Sequence, residues 1–367
     1  AVSAAHPLWQ IVGWMGALAG FMILSYYAVI AGWAMSYIFQ MASGSFTGAD
    51  AQFANEAFSS FTGNVWSVVG WHTLFMSITI FIAARGVGAG LETTVKYLMP
   101  ALFALLVVLV LYSALNSGHF MEGVSFMFAL NFEKFTWGGV LSAMGQAFFT
   151  LSLGMGAIMA YGAYMPRKVS ILGTATTIAL MDTSVALMSG LIIFPLVFAN
   201  GLESSAGPGL MFITLPIAFG QMTGGQIFGT VFFILVTFAA ITSAISLVEP
   251  TVAWVVEKVK VSRPTSAVIV GGIAWLVGLG SAFSTNIWAE VHVIAGMTFF
   301  DTMDYVSNNI ILPLGGVLIA VFAGWILDSK IAISQMEYDT KFYPVWRVLT
   351  RFVAPVAVSI VFVMTII

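Results

Sequence analysis

The chain has 367 residues, 60% of them hydrophobic and only 7% charged, with a formal net charge of −3 and no cysteine. That balance leaves too little polar surface to wrap a soluble core of this size, and so small a net charge argues against nucleic acid or an acidic substrate. Without cysteine there is no disulfide, thiolate metal site or cysteine nucleophile. The histidines, His6, His72, His119 and His292, are scattered along the chain and read as interfacial or satisfied helix residues.

Nine apolar stretches follow one another: Trp9–Met41, Ser67–Ala84, Tyr97–Leu115, Gly138–Tyr164, Ile171–Ala199, Gly224–Val255, Ser266–Phe283, Met303–Leu327 and Val345–Ile367. Each is near or above the ~20 residues a helix needs to cross a bilayer. The first carries Gly16-Ala-Leu-Ala-Gly20, small residues of the kind that let helices approach closely in lipid. Pro100, Pro195, Pro250, Pro313 and Pro355 lie at or inside spans, where a kink is expected.

The fourth stretch differs from the others. It reads Gly145-Gln-Ala-Phe-Phe-Thr-Leu-Ser-Leu-Gly-Met-Gly156, with Thr150, Ser152, Gly154 and Gly156 crowded at mid-span. Glycine and hydroxyl residues weaken a helix there, and a broken helix at the midplane is tolerated where its freed backbone lines a cavity or binds something. A Gly-rich packing stripe is the other reading. The fifth stretch holds Asp182 in Leu180-Met-Asp-Thr-Ser184. A carboxylate at that depth costs roughly 2.5–3.5 kcal/mol on insertion scales, so a partner cation or proton is expected. The sixth reads Ala239-Ala-Ile-Thr-Ser-Ala-Ile-Ser246, which puts the hydroxyls of Thr242 and Ser243 one turn beyond Ala239; such hydroxyls also commonly bond their own backbone.

The cations alternate with the spans. Arg85, Lys96, Arg167, Lys168, Lys258, Lys260, Arg263, Lys330, Lys341, Arg347 and Arg351 fall in the even-numbered connections, and Lys134 alone falls in the odd ones. The excess of Lys and Arg marks the even side as cytoplasmic. The first residue is Ala, and residues 1–8 carry neither a cation nor a signal-peptide pattern, so the chain is expected to start part-way along a longer protein.

These motifs together resemble the neurotransmitter:sodium symporter family, and within it the bacterial amino-acid transporters. The resemblance rests on Gly145–Gly156, Tyr161, Tyr164, Phe212-Ile-Thr-Leu-Pro216, Thr242-Ser243, Tyr26-Tyr27 and Asp304, and it covers essentially the whole chain from the family's third helix to its eleventh. It implies an all-α polytopic membrane protein of the broken-helix, inverted-repeat, leucine-transporter-like fold, in the plasma (inner) membrane, with the family's first two helices outside the chain. Residues 1–115 would be the last three helices of the first repeat, 138–327 the second repeat, and 345–367 an extra helix.

The resemblance also assigns roles. Tyr27 would hydrogen-bond a substrate carboxylate. Ile23, Phe149, Thr150, Ser152, Met155, Ser243 and Leu247 would line or lid the pocket. One sodium would take Thr150 and Asp182, and a second the Ala239 carbonyl with the hydroxyls of Thr242 and Ser243. Asp304 would be the outer-gate acid, with Glu257 and Tyr164 the inner-gate pair. Met155 stands where the leucine-transporting bacterial member has an aromatic, so another side chain is admitted. Asp182 stands where chloride-dependent relatives carry Asn, which implies that chloride is not required. The expected activity is sodium-coupled symport of a neutral amino acid or related small zwitterion, by a non-enzyme that can pair as a homodimer. An ion channel or passive pore on the same packing is the alternative, and an intramembrane enzyme lacks any matching Ser–His or His/Glu arrangement. Tyr27, Phe149 and Ser243 are expected to line one open groove, where the family's first two helices would pack.

Overall fold

The computed structural model describes residues 6–86, 93–130, 132, 135–166, 169–199, 207–336 and 338–366. Among them there is no β-strand beyond one isolated bridge. Eight helices are long and apolar enough to span a bilayer. A ninth span is made of two half-helices, α6 and α7. The elements are α1 (Gln10–Ala42), α2 (Ala51–Gly63), α3 (Val65–Arg85), α4 (Thr93–Asn116), α5 (Phe120–Phe128), α6 (Trp137–Thr150), α7 (Ala157–Tyr164), α8 (Ile171–Ala199), α9 (Leu215–Gln221), α10 (Gly225–Val259), α11 (Arg263–Phe283), α12 (Phe299–Ile326), α13 (Ser329–Gln335) and α14 (Thr340–Met364). Of the cations that set the orientation, Lys134, Arg167 and Lys168 lie outside the described residues.

Side-chain caps fix where several helices start. Asp50 accepts the Phe53 amide at 2.8 Å, Asn64 that of Ser67 at 3.1 Å, and Thr136 that of Gly139 at 3.0 Å. Each satisfies one of the amides a first turn leaves open. Thr298 and Asp301 form a reciprocal capping box at the start of α12.

Three wide, π-type turns carry a common signature. Leu210–Thr214 ends two residues before Pro216, Val306–Ile311 two before Pro313, and Leu349–Val353 two before Pro355. Proline lacks an amide hydrogen, and its ring collides with the carbonyl four residues back. A wider turn moves that carbonyl away, so the helix continues through the proline. Pro100, Pro195 and Pro250 sit inside helices as well.

The core is built on α1, which packs against α10, α3 and α11. Ile23, Leu24, Phe75, Met76, Ala244, Leu247, Val252 and Ala274 are buried in one cluster there. A second cluster joins Trp33, Tyr37, Phe46, Phe212, Phe219 and Phe233. Phe212, from the motif of the fifth connection, stacks on Phe58 of α2 with centroids 5.8 Å apart and planes 3° from parallel. Such pairs add about 0.5–1.5 kcal/mol each beyond area burial. They tie α2 and the segment before α9 to α1, so these connections are packed structure. The halves of the broken span have different partners: α6 lies against α12 and α14, and α7 against α10.

Candidate functional site

The fourth apolar stretch is interrupted. α6 stops at Thr150 and α7 begins at Ala157. Between them Ser152, Gly154 and Gly156 adopt left-handed backbone, with φ of 55°, 83° and 77°. The chain leaves α6 through one tight bond, from Ser152 N to Phe149 O at 3.0 Å, and one wide bond, from Leu153 N to Phe148 O at 2.9 Å. The break is held by close approach to neighbours. A Cβ on Gly154 would lie 2.6 Å from the Leu312 carbonyl oxygen, and one on Gly16 would lie 2.8 Å from Gly156 Cα. The glycine stripe of α1 is therefore a packing face, and what it packs on is the inner lip of the break.

Around this break the structure gathers several expected residues. Ile23, Met155 and Leu247 are buried in one apolar cluster, and the rings of Tyr27 and Phe149 pack against it. The phenol of Tyr27 meets the hydroxyl of Ser243. Ser243 is exposed in the middle of α10 although its neighbour Ala244 is fully buried. Tyr27, Ala239 and Ser243 line a cavity of about 430 Å³, together with Leu106, Ser189 and Val236. Thr242 donates to the Ala239 carbonyl at 2.8 Å, and Ser246 to the Thr242 carbonyl at 2.9 Å. The Ser246 proton is thereby used, so the 2.6 Å contact between Tyr161 and Ser246 has Tyr161 as donor. A chain of hydrogen bonds thus runs from α7 to the oxygen-rich turn of α10.

Other expected residues stand apart. Phe149 does not share the Tyr27–Ser243 cavity. It lines a different one of about 520 Å³ with Ser142, Gln146, Asp304 and Asn308. Of the residues expected in a single groove, Tyr27 and Ser243 line one cavity and Phe149 another, while the rings of Tyr27 and Phe149 pack against the same apolar cluster of Ile23, Met155 and Leu247. Thr150 is exposed and donates only a long 3.5 Å bond to Ala147 O, and Asp182 is half-buried on α8. Thr150 and Asp182 share no hydrogen bond. Glu257 is exposed and lines a cavity of about 830 Å³ with Gln10, Trp14, Gly156 and Ala163. The side chain of Tyr164 lies outside the described residues.

Asp304 is fixed from several directions. Asn308 donates to it at 2.7 Å and also to the Tyr26 hydroxyl at 3.3 Å, and that hydroxyl lies 3.3 Å from Ser307. The wide turn Val306–Ile311 carries both Ser307 and Asn308. The sequence reading missed Asn308, whose polarity inside an apolar run was the available signal. It also missed Glu249, a fully buried carboxylate on α10. Arg263 pairs with it through two bonds, of 3.0 and 2.5 Å, and donates a third to the Ala83 carbonyl at 3.0 Å. An acid beside Pro250 in an apolar stretch was as visible as Asp182.

Comparison with known proteins bears on the whole arrangement. Residues 50–367 match the model of the sodium:neurotransmitter symporter family. An uncharacterized sodium-dependent transporter, YhdH, of Bacillus subtilis is 36% identical over 363 residues, 98% of this chain and 80% of that protein. An uncharacterized sodium-dependent transporter of Haemophilus influenzae is 33% identical over 97% of this chain and 79% of its own length. The crystal structure of MhsT in complex with L-phenylalanine superposes with a TM-score of 0.90 at 42% identity, covering 97% of this chain and 81% of that one. The broken fourth span, the oxygen-rich turn of α10 and these matches agree: the chain belongs to the sodium:neurotransmitter symporter family, multi-pass membrane proteins that couple transport of a small molecule to sodium.

Proposed function

We propose that the protein carries a neutral amino acid, as its zwitterion, together with sodium by alternating access. The observation that carries this reading is the six-residue break between α6 and α7, Leu151–Gly156. It leaves the carbonyl end of one half-helix and the amide end of the other at mid-membrane. The first favours a cation and the second a carboxylate. Tyr27, whose phenol meets the Ser243 hydroxyl, would donate to that carboxylate. Ile23, Phe149, Met155 and Leu247 supply the apolar wall, Ser152 its polar edge, and the flexible Met155 thioether suits more than one side chain. MhsT, of the same fold, holds L-phenylalanine, which makes large neutral amino acids the first substrates to try.

Sodium is a co-substrate here. Hydroxyl and carbonyl oxygens are the right donors for a hard cation. Thr150 and Asp182 are assigned to one ion, and Ala239, Thr242 and Ser243 to the other. Rocking of α6 and α7, with their repeat partners in 138–327, against the rest would open the site first to one side and then the other, with Asp304 at the outer gate and Glu257 and Tyr164 at the inner.

Uptake of labelled L-phenylalanine by the full-length gene product in proteoliposomes is the test. Accumulation is expected to follow an inward sodium gradient and to fall to the leak when choline replaces sodium. Uptake indifferent to sodium would reject the coupling, and flux without accumulation would favour a passive pore.

Asp182 gives a second expectation. Its fixed charge would stand in for chloride, so Asp182→Asn should make uptake require chloride or lose its sodium dependence, because an uncompensated sodium in a low-dielectric site is costly. Unchanged, chloride-independent uptake in the variant would remove Asp182 from the sodium site.

A further inference from the structure

The inner end of α14 carries Arg347 and Arg351, one helical turn apart. Like charges at this spacing repel, and among the described residues neither arginine meets a carboxylate. The ion pairs there are Arg263–Glu249 and His119–Glu122. The nearby acids are engaged elsewhere: Asp328 accepts the Lys330 amide at 2.8 Å, and Asp339 accepts Ser170 Oγ at 2.9 Å and the Leu172 amide at 3.0 Å.

Neutral groups hold both guanidiniums in place. Arg351 Nε donates to the Gly324 carbonyl at 2.5 Å, its guanidinium lies 5.0 Å from the Trp325 ring, and Trp325 Nε1 donates back to the Arg351 carbonyl at 3.0 Å. Arg347 donates to the hydroxyls of Ser329 and Tyr343 and lies 5.6 Å from the Tyr343 ring. A guanidinium has five N–H donors. Arg351 spends one of them, and Arg347 uses only its Nη1 group, so donors remain on both. The surroundings are an apolar surface: Trp325, Val348, Leu349 and Phe352 are all exposed. Lys330 and Lys341 are exposed close by in sequence.

We propose that Arg347 and Arg351, framed by Trp325 and Tyr343, bind the phosphate of an anionic phospholipid headgroup at the inner face of the membrane. The phosphate would accept the spare N–H groups in the forked geometry that arginine offers. It would also relieve the repulsion between the two cations. The exposed apolar side chains of α14 would lie along the acyl chains. A clustered basic site at the cytoplasmic ends of spanning helices is where anionic lipid concentrates. Free phosphate has the same headgroup chemistry but gains nothing from the apolar surface, so the lipid is the occupant.

The test is thermal unfolding of the purified protein in neutral detergent, titrated in parallel with phosphatidylglycerol, phosphatidylcholine and inorganic phosphate. Phosphatidylglycerol is expected to raise the midpoint, since a ligand of the native state stabilises it by mass action, and the other two are expected not to. The Arg347→Gln/Arg351→Gln variant should lose most of that increment, measured against its own midpoint in phosphatidylcholine. If the variant does not fold, Arg351→Lys decides the matter. It keeps the charge but loses the fork, and should weaken the response. An increment shared by inorganic phosphate or phosphatidylcholine, or one left intact by the decisive variant, would overturn the proposal.

Discussion

Replacing Arg263 with Ala is expected to destabilise the protein by about 3–5 kcal/mol, the cost of leaving a buried carboxylate without its counter-charge. Glu249 is fully buried, and the Arg263 side chain is 25% exposed. The asymmetry predicts unequal effects. Glu249→Gln should cost less, because Arg263 keeps the Ala83 carbonyl and can reach water. The double replacement Glu249→Leu/Arg263→Met should fall well below the sum of its parts, since an apolar pair of similar volume removes both the charge and its desolvation. Reversible unfolding in mixed micelles reads these differences. If Arg263→Ala were no worse than Glu249→Gln, the buried carboxylate would not be the source of the cost. The pair joins the inner ends of α3, α10 and α11, so it also fixes the base of the helix that carries Ala239, Thr242 and Ser243.

The second large effect is expected at Gly154. A side chain there meets two obstacles: φ of 83°, which costs roughly 1–3 kcal/mol for a non-glycine residue, and the Leu312 carbonyl oxygen, 2.6 Å from where its Cβ would sit. That oxygen is backbone and cannot swing aside. Gly154→Ala should push the break away from α12, and uptake should be lost or nearly so. Gly162→Ala in α7 is the control. A Cβ there has no neighbour within 4 Å, so uptake should persist, and stability should hold or rise with the better helix former. Equal behaviour of the two variants would mean that the tight seat of the break against α12 has no part in transport.

Much of the architecture was legible because a bilayer allows few solutions. Long apolar runs must be helices, and a Gly/Ser-rich run at mid-span must either pack closely or come apart. Residues 145–156 do both, with Gly156 packed on Gly16 and Gly154 on Leu312. The single-helix motif was therefore readable, whereas the contacts between helices were not. Glu249 and Arg263 lie on either side of a turn, fourteen residues apart, and no helical period links them. Phe149 packs on the same apolar cluster as Tyr27 but also lines the cavity that holds Asp304, a second contact that no helical period indicates. α2 is short and less apolar than a span, and α5, though apolar, has only nine residues, so both read as connections although Phe58 of α2 stacks on Phe212.

The wide turns ahead of the prolines have a consequence for rotation. Each takes in about one residue more than an α turn, and one residue is about 100° around a helix axis. Across Val306–Ile311 a helical wheel therefore slips out of phase. Asp304 lies before the slip, Asn308 within it, and Gly316, packed against Phe148, after it. The proline and its turn act as an angular offset written into α12, which sets the polar outer half and the packed inner half at independent bearings. Were the same residues wound as an unbroken α-helix, the inner half would rotate by that angle and Gly324 would turn away from Arg351, without a change of side chain in either place.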